Sequence, residues 1–155
     1  MIQIDIPGRE SLAIEHVLLD YNGTIAVDGL LAPGVSECMG KLAKLAHVAV
    51  LTADTYGTAK AQCAPLGVEV VTFPREGAAE FKRAYAEQLD GQIACLGNGF
   101  NDVGMFGQAD LAIAILDTEG TYAGLLSNAD ILARSAEEGL SLLLNLDRVR
   151  ATLRT

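Results

Sequence analysis

The sequence has few residues that could cross-link the fold through disulfides or bind a soft metal ion. Its 155 residues include three cysteines, two histidines and no tryptophan. The cysteines, Cys38, Cys63 and Cys95, are odd in number and far apart. No pair of them has the spacing of a metal site, and we expect buried, reduced thiols. The chain is nevertheless long enough to bury an apolar core without disulfide or metal cross-links.

Basic residues are also in the minority, with 11 lysines and arginines against 20 aspartates and glutamates and a net charge of −9. A chain of this charge is expected to bind neither nucleic acid nor an anionic membrane surface. Three arginines lie near its end, Arg148, Arg150 and Arg154. We interpret them as cations at the C-terminal end of a helix, where they are favourable, rather than as a basic patch.

Long hydrophobic runs are missing too, and none approaches the roughly 18 residues that cross a bilayer. The first residues include Asp5 and Pro7 and do not show the basic start and apolar centre of a secretion signal. Half of the residues are hydrophobic and 20% are charged, which is typical of a folded globular domain. We therefore expect one domain over residues 1–155, located in the cytoplasm.

What the sequence does contain is a regular alternation of extended and helical patterns. The alternating segments Ile2–Ile6 and Leu12–Leu19, separated by Pro7-Gly8, predict an N-terminal hairpin, and Asp28-Gly29 predicts a second one within Ile25–Leu31. The later predicted strands are His47–Leu51, Val68–Val71, Gln92–Leu96, Leu111–Ile115 and Asp130–Leu132. The predicted helices are one that Pro33-Gly34 opens, Thr55–Cys63, Ala78–Leu89, Asn101–Phe106, Tyr122–Ser127 and Ala136–Leu144. This alternation indicates an α/β fold with a doubly wound, Rossmann-like parallel sheet.

Polar residues stand at the end of the first central strand, where such a sheet forms its ligand crevice. The apolar run ends at Asp20, and Tyr21-Asn22-Gly23-Thr24 follows at once. The Asn-Gly pair turns the backbone sharply and leaves its N–H groups free to face an anion. This geometry suits an aspartyl nucleophile that attacks phosphorus.

Two further polar segments follow predicted strands. Thr52-Ala53-Asp54 comes after His47–Leu51, and a threonine hydroxyl there is a hydrogen-bond donor for a phosphate oxygen. Gly97-Asn98-Gly99-Phe100-Asn101-Asp102 comes after Gln92–Leu96. Its glycines let the backbone approach a ligand, and Asn98 and Asp102 offer oxygen atoms to a hard cation such as Mg²⁺.

These three segments together resemble the haloacid dehalogenase (HAD) superfamily, particularly the soluble relatives of the P-type ATPase phosphorylation domain. Asp20-Tyr21-Asn22-Gly23-Thr24 resembles the signature D-x-D/T-G-T. Thr52-Ala53-Asp54, continued by Gly57-Thr58-Ala59, is similar to T-G-D…G-T-A. Gly97 to Asp102, followed by Ala109-Asp110-Leu111-Ala112-Ile113-Ala114, resembles G-D-G-x-N-D and the strand after it.

The resemblance implies a HAD-like fold and Mg²⁺-assisted phosphoryl transfer. Asp20 would form an aspartyl-phosphate that water hydrolyses, and Thr52 would hold a phosphoryl oxygen. The implied metal site lies between the Asp20 carboxylate, the backbone carbonyl of Asn22 and Asp102, with Asn98 as a further metal position. The implied phosphate or substrate positions are Gly23, Thr24, Ala53, Asp54, Gly97 and Asn101. The substrate would be a phosphorylated small molecule or a larger phosphorylated one.

The sequence departs from the family pattern at two positions. Asn22 stands where the phosphatases carry a second aspartate that serves as general acid and base, and an amide cannot shuttle a proton. Since such catalysis is typically worth about 10² to 10⁴ in rate, breakdown of the intermediate is expected to be slow. Asn98 replaces another aspartate of the pattern, which removes one negative charge and should weaken Mg²⁺ binding.

The family also has a lysine that braces the nucleophile and the phosphate. Lys82 matches it, although it stands about one turn late in its predicted helix, and Arg75 is the alternative. Asp20 and Thr52 are separated only by a hairpin and one helix, which leaves no room for a cap or nucleotide-binding domain. An open site of this kind favours large substrates or a cover from a neighbouring subunit in a homo-oligomer.

Two functional interpretations remain open. The first is a Mg²⁺-dependent phosphatase or phosphotransferase. The second is a non-catalytic, regulatory module that binds a phosphate or a partner and has lost turnover through Asn22 and Asn98. The receiver domain of a phosphorelay would need an acidic pair at the end of the first parallel strand, where only Asp20 stands.

Overall fold

A mainly parallel sheet of seven strands forms the centre of the molecule, in a computed structural model that describes residues 1–155. The chain has nine strands in all: β1 (Ile2–Ile4), β2 (Leu12–Asp20), β3 (Ala26–Val27), β4 (Leu30–Leu31), β5 (His47–Thr52), β6 (Glu69–Thr72), β7 (Gln92–Gly97), β8 (Leu111–Ile115) and β9 (Ile131–Ala133). Of these, β3 and β4 pair only with each other and lie outside the central sheet. The sheet order is β6-β5-β2-β7-β8-β9, and β1 pairs antiparallel with the first residues of β2. The predicted doubly wound sheet and N-terminal hairpin are therefore confirmed.

Short helices connect the strands and cover both faces of the sheet. They are α1 (Val35–Leu42), α2 (Ala59–Cys63), α3 (Ala78–Glu87), α4 (Val103–Phe106), α5 (Ala136–Leu142) and α6 (Leu146–Leu153), with 3₁₀ segments at Ala64–Leu66, Phe100–Asp102 and Ala123–Asn128. One hairpin and α1 lie between β2 and β5, and α3 alone lies between β6 and β7. No cap domain is inserted at either place, as the sequence predicts. No helix has the length and apolar character that crossing a membrane requires.

Three predicted helices differ from the observed ones. The helix predicted over Asn101–Phe106 begins as the 3₁₀ segment Phe100–Asp102 and is α-helical only over Val103–Phe106. The helix predicted over Thr55–Cys63 begins only at Ala59, because Asp54 and Gly57 adopt left-handed backbone angles of φ 45° and 68° and form a turn first. The helix predicted over Tyr122–Ser127 is instead a short 3₁₀ segment, and it ends where the chain must enter β9.

The continuous apolar run of β2 is explained by burial on both sides. Val17 and Leu19 belong to one apolar cluster, which also contains residues of α1 and α5. Leu18 points to the opposite face, into a second cluster with residues of α3 and α4. A parallel sheet covered on both faces requires apolar residues at every position of its central strand. The apolar run ends at Asp20, because β2 ends there and the chain leaves the buried part of the sheet at the carboxyl ends of its strands.

The small hairpin of β3 and β4 is attached firmly to its surroundings. Its turn is Asp28-Gly29, with φ angles of 51° and 81°. The Gly29 carbonyl accepts hydrogen bonds from the Tyr21 hydroxyl (3.0 Å), the Thr58 hydroxyl (2.6 Å) and the Gln62 amide (2.6 Å). The hairpin is thus joined to the residue after Asp20 and to the segment around the start of α2.

Replacing Gly29 by alanine should destabilise the fold. A Cβ there would lie 2.7 Å from the Tyr56 side chain, on a backbone of positive φ. We expect a loss of more than about 1 kcal/mol in the free energy of unfolding, measured by urea denaturation. Gly57→Ala is the matched control, because it has positive φ but no atom within 4 Å of its Cβ position. Equal losses in the two variants would contradict the role of the Tyr56 contact.

Candidate active site

A polar cavity of about 350 Å³ opens at the carboxyl ends of the central strands. This volume is at the lower end of the range for small-molecule sites, which is roughly 300 to 1,000 Å³. The residues that line it follow β2, β5, β6 and β7 or belong to α3. They are Asp20, Asn22, Thr52, Ala53, Thr55, Phe73, Arg75, Ala78, Lys82, Asn98, Gly99 and Asn101.

Asp20 is the last residue of β2 and the only carboxylate that lines this cavity. Its residue surface is 8% exposed. One carboxylate oxygen accepts a hydrogen bond from Lys82 Nζ at 2.6 Å, and the other accepts one from the Thr24 hydroxyl at 2.8 Å. Because each carboxylate oxygen has two lone-pair sites, both oxygens keep a free site for another group. The carboxylate is therefore fixed in position and still able to react.

Lys82 lies in the second turn of α3 and is only 1% exposed. Besides Asp20, its ammonium group contacts Asp102 Oδ1 at 2.7 Å and Asn101 Oδ1 at 3.3 Å. Burial opposes the charged form, but the two carboxylates outweigh it and raise the pKa of Lys82 above its ordinary value. Lys82, and not Arg75, is thus the residue that bridges the carboxylates, although the sequence places it about one turn late.

Asp102 lies beneath the cavity and is fully buried. Its Oδ2 accepts hydrogen bonds from the N–H groups of Asn98 (3.0 Å) and Gly99 (2.9 Å). Burial and the nearby charge of Asp20 raise the pKa of Asp102 to about 6, against the opposite effect of Lys82 and Gly99. Gly97 has to lack a side chain, because a Cβ there would lie 2.6 Å from this carboxyl group.

The two asparagines have different surroundings. The Asn22 side-chain oxygen is buried and no hydrogen bond reaches it. An unsatisfied buried acceptor costs about 1–3 kcal/mol, so this atom is suited to a ligand. Asn98 has neighbours at both ends: its amide donates to the Gly120 carbonyl (3.0 Å), and its oxygen lies 3.1 Å from the Thr24 hydroxyl, whose hydrogen it shares with the nearer Asp20 oxygen. The second asparagine therefore tethers the loop around Gly120.

The segment after β5 is divided between the cavity and the scaffold. The Thr52 hydroxyl lines the cavity, accepts a hydrogen bond from Asp54 N–H at 2.9 Å and donates to no protein group. Its hydrogen is therefore free for a ligand oxygen. Asp54 points elsewhere, since its carboxylate accepts from Ala59 N–H at 3.0 Å at the start of α2.

The structure thus separates the predicted site residues into two sets. Those that line the cavity are Asp20, Asn22, Thr52, Ala53, Lys82, Asn98 and Asn101. Those that lie outside its lining are Gly23, Thr24, Asp54, Gly97 and Asp102. Gly99, one of the two glycines expected to let the backbone approach a ligand, does line the cavity. Sequence reasoning missed Thr55, Phe73 and Ala78 as wall residues, and it considered Arg75 only as a substitute for the lysine. Phe73 and Arg75 directly follow an edge strand, which is the signal that could have indicated them.

The metal-ligating atoms available in the cavity fit a hard cation that is held partly by the protein and partly by the substrate. They are oxygen atoms, chiefly the Asp20 carboxylate and the unpartnered Asn22 oxygen. No three side chains of histidine, cysteine, aspartate or glutamate converge as a metal cage. Mg²⁺ does not need one, because it commonly uses one or two carboxylates and completes its coordination with water and phosphate.

Sequence comparison finds similarity to an archaeal protein and to part of an ion pump. The chain is 35% identical over 68 residues to the uncharacterized protein MJ0073 of Methanocaldococcus jannaschii, covering 44% of this chain and 73% of that protein. It is 30% identical over 119 residues to the copper-exporting P-type ATPase of Staphylococcus saprophyticus, covering 74% of this chain but only 15% of the ATPase. No family model matches the chain.

Solved structures of phosphatases share its fold. One is the 3-deoxy-D-manno-octulosonate 8-phosphate phosphatase of Moraxella catarrhalis, in complex with magnesium, phosphate and KDO. It has a TM-score of 0.69 and 13% identity and covers 91% of this chain and 94% of its own. The cobalt-bound deoxy-D-mannose-octulosonate 8-phosphate phosphatase of Haemophilus influenzae has a TM-score of 0.69, 14% identity and coverage of 92% and 94%. The fold is therefore the HAD-like one that the motifs predict.

Lys82→Met should be strongly destabilising, because it leaves Asp20 and Asp102 as unpaired carboxylates in a buried place. We expect a loss of about 3–5 kcal/mol in the free energy of unfolding, measured by urea denaturation. Adding Asp102→Asn should recover part of the loss, since it removes one buried charge. Lys41→Met is the control, because its exposed pair with Glu37 is worth at most about 0.5 kcal/mol. A double variant no more stable than Lys82→Met would contradict this interpretation.

Asn98→Asp should loosen the loop around Gly120. A carboxylate cannot donate to the Gly120 carbonyl and would instead repel it, which leaves that oxygen without its partner. We expect faster amide hydrogen exchange over residues 117–122, measured by mass spectrometry, with no change in β8. Unchanged exchange in this loop would show that the Asn98 amide does not hold it.

Proposed function

We propose that this chain, which belongs to the same family as MJ0073 of Methanocaldococcus jannaschii, is a Mg²⁺-dependent phosphatase of the HAD superfamily that forms an aspartyl-phosphate on Asp20. One observation carries the proposal: Asp20 is held between Lys82 and Thr24 at the floor of an open polar cavity. The phosphatase structures with the same fold support it.

In the first step an Asp20 oxygen attacks the phosphorus of a phosphomonoester. The bond between that oxygen and phosphorus forms as the ester bond breaks, and the leaving oxygen takes a proton from water. In the second step a water molecule attacks the same phosphorus, the bond to Asp20 breaks, and inorganic phosphate leaves. The aspartate is thereby restored.

Residues around Asp20 stabilise the transferring group without reacting. The free hydroxyl hydrogen of Thr52 would donate to a phosphoryl oxygen. The Lys82 ammonium balances the charges of Asp20 and Asp102, so that a phosphate dianion meets less repulsion. Mg²⁺, held by Asp20 and the Asn22 oxygen, would supply further positive charge to the phosphoryl oxygens.

A narrower assignment concerns the branch of the superfamily. We place the chain with the P-type ATPase-like members, because its three motifs resemble theirs and the copper-exporting ATPase is 30% identical over 119 residues. We further propose that residues 1–155 act as a single domain in the cytoplasm. The substrate is a phosphorylated small molecule or a larger phosphorylated one, and symmetric self-association would be compatible with the open site.

The direct test is release of phosphate from 4-nitrophenyl phosphate. We expect turnover in the presence of Mg²⁺, loss of turnover when the metal is chelated, and loss in Asp20→Asn. Binding of inorganic phosphate without any turnover would instead favour a non-catalytic phosphate-binding module, the alternative function that Asn22 and Asn98 suggest.

Asn22→Asp should increase turnover if breakdown of the intermediate is slow for lack of an acid–base group. We expect an increase of about tenfold or more in kcat, since positioned acid–base catalysis is typically worth about 10² to 10⁴. Steady-state kinetics with 4-nitrophenyl phosphate measures it. The double variant Asp20→Asn/Asn22→Asp is the control and should stay inactive. An unchanged kcat in Asn22→Asp would show that Asn22 does not limit the reaction.

A further inference from the structure

The cavity has a second end, away from Asp20, where Thr55, Phe73 and Arg75 lie. These residues follow β5 and β6, whereas Asp20 ends β2. In the sheet order β6-β5-β2, one strand separates β6 from β2. Since neighbouring strands lie roughly 4.8 Å apart, β6 and β2 are about 10 Å apart. A phosphoryl group bound at Asp20 therefore leaves this end free for the rest of the substrate.

The second end is positively charged. Arg75 forms no ion pair with any carboxylate, and Asp20, at the other end, is the only acidic residue in the cavity lining. Lys82, the other cation of the lining, is already balanced by Asp20 and Asp102. Arg75 is therefore the uncompensated positive charge of the cavity. A guanidinium group of this kind binds carboxylate or phosphate oxygens in a bidentate manner.

The wall residues after β5 and β6 also include apolar ones. Ala53 and Phe73 line the cavity, and the Phe73 ring stacks on Phe81 with 4.5 Å between ring centroids. This stacking packs the Phe73 ring against α3, where the ring forms part of the cavity wall. A short carbon segment between a phosphate group and a second acidic group would pass along such a wall.

We infer that Arg75 recognises a second acidic group on the substrate, a carboxylate or a second phosphate, so that the enzyme selects small phosphomonoesters with two acidic groups. This inference rests on the proposed phosphatase activity. The hairpin of β3 and β4 is bonded through the Gly29 carbonyl to Tyr21, Thr58 and Gln62, and none of its residues lines the cavity. In a site without a cap, the phosphoryl-binding residues around Asp20 and the guanidinium of Arg75 together orient the ligand instead.

The test compares three aryl phosphates that differ only at the far end of the ring: phenyl phosphate, 4-carboxyphenyl phosphate and 1,4-phenylene bisphosphate. With the unaltered protein we expect the KM of at least one acidic compound to be about tenfold or more below that of phenyl phosphate, as a charge-assisted hydrogen bond allows. The acidic compound with the lower KM identifies the carboxylate or the phosphate as the preferred group. Arg75→Met should abolish the preference through KM, and Arg75→Lys should restore part of it.

Arg83→Met is the matched control. It removes the same charge from the outer face of α3, where Arg83 pairs with Glu80 and Glu87, and it should keep the preference. An equal rise of KM for all three compounds in Arg75→Met would overturn the inference, since Arg75 would then contact the transferred phosphoryl group. The absence of any preference in the unaltered protein would overturn it as well.

Calorimetric binding of the same compounds to Asp20→Asn protein keeps the test independent of turnover. A preference for an acidic compound that Arg75→Met abolishes would support the inference even if no phosphate is released, in which case only the phosphatase proposal fails. Equal affinity of Asp20→Asn protein for all three compounds would overturn the inference while leaving the phosphatase proposal intact.

Discussion

The site depends on one buried lysine. Lys82 comes from α3, whereas its partners Asp20 and Asp102 follow β2 and β7, so that their ion pairs join three separate elements. Burying three charged groups is costly, and the arrangement persists only because each group is paired and hydrogen-bonded. Hydrogen bonds from Thr24 and from the Asn98 and Gly99 N–H groups complete it. The parallel sheet makes this possible, since the ends of neighbouring strands meet at one edge.

Much of the fold could be predicted because its signals are local. The Asp28-Gly29 pair specifies a hairpin turn by its backbone angles, and the apolar run before Asp20 identifies a strand buried on both faces. The errors arose where tertiary structure overrides a local pattern. The start of α2 is delayed by a left-handed turn at Asp54, and the segment Ala123–Asn128 forms a 3₁₀ helix before the chain enters β9.

The site could be predicted in its residue types but not in its contacts. Asp20, Thr52 and Lys82 lie where strand ends converge, which the motif order already indicates. The orientation of Asp54 toward α2 and the tether from Asn98 to Gly120 depend on side-chain rotamers, and no spacing in the sequence encodes them. Asn22 and Asn98, the two asparagines that stand where the family pattern has aspartate, thus have different physical consequences. One leaves a buried oxygen free for a ligand, and the other secures a loop.

The proposed reaction requires that Asp20 bonds covalently to phosphorus. Acid quenching of the protein during turnover, followed by borohydride reduction, would convert an aspartyl-phosphate into homoserine, which peptide mass spectrometry locates. Homoserine is expected at position 20, dependent on Mg²⁺ and on a phosphomonoester substrate. Phosphate release under the same conditions with an unmodified Asp20 would contradict it.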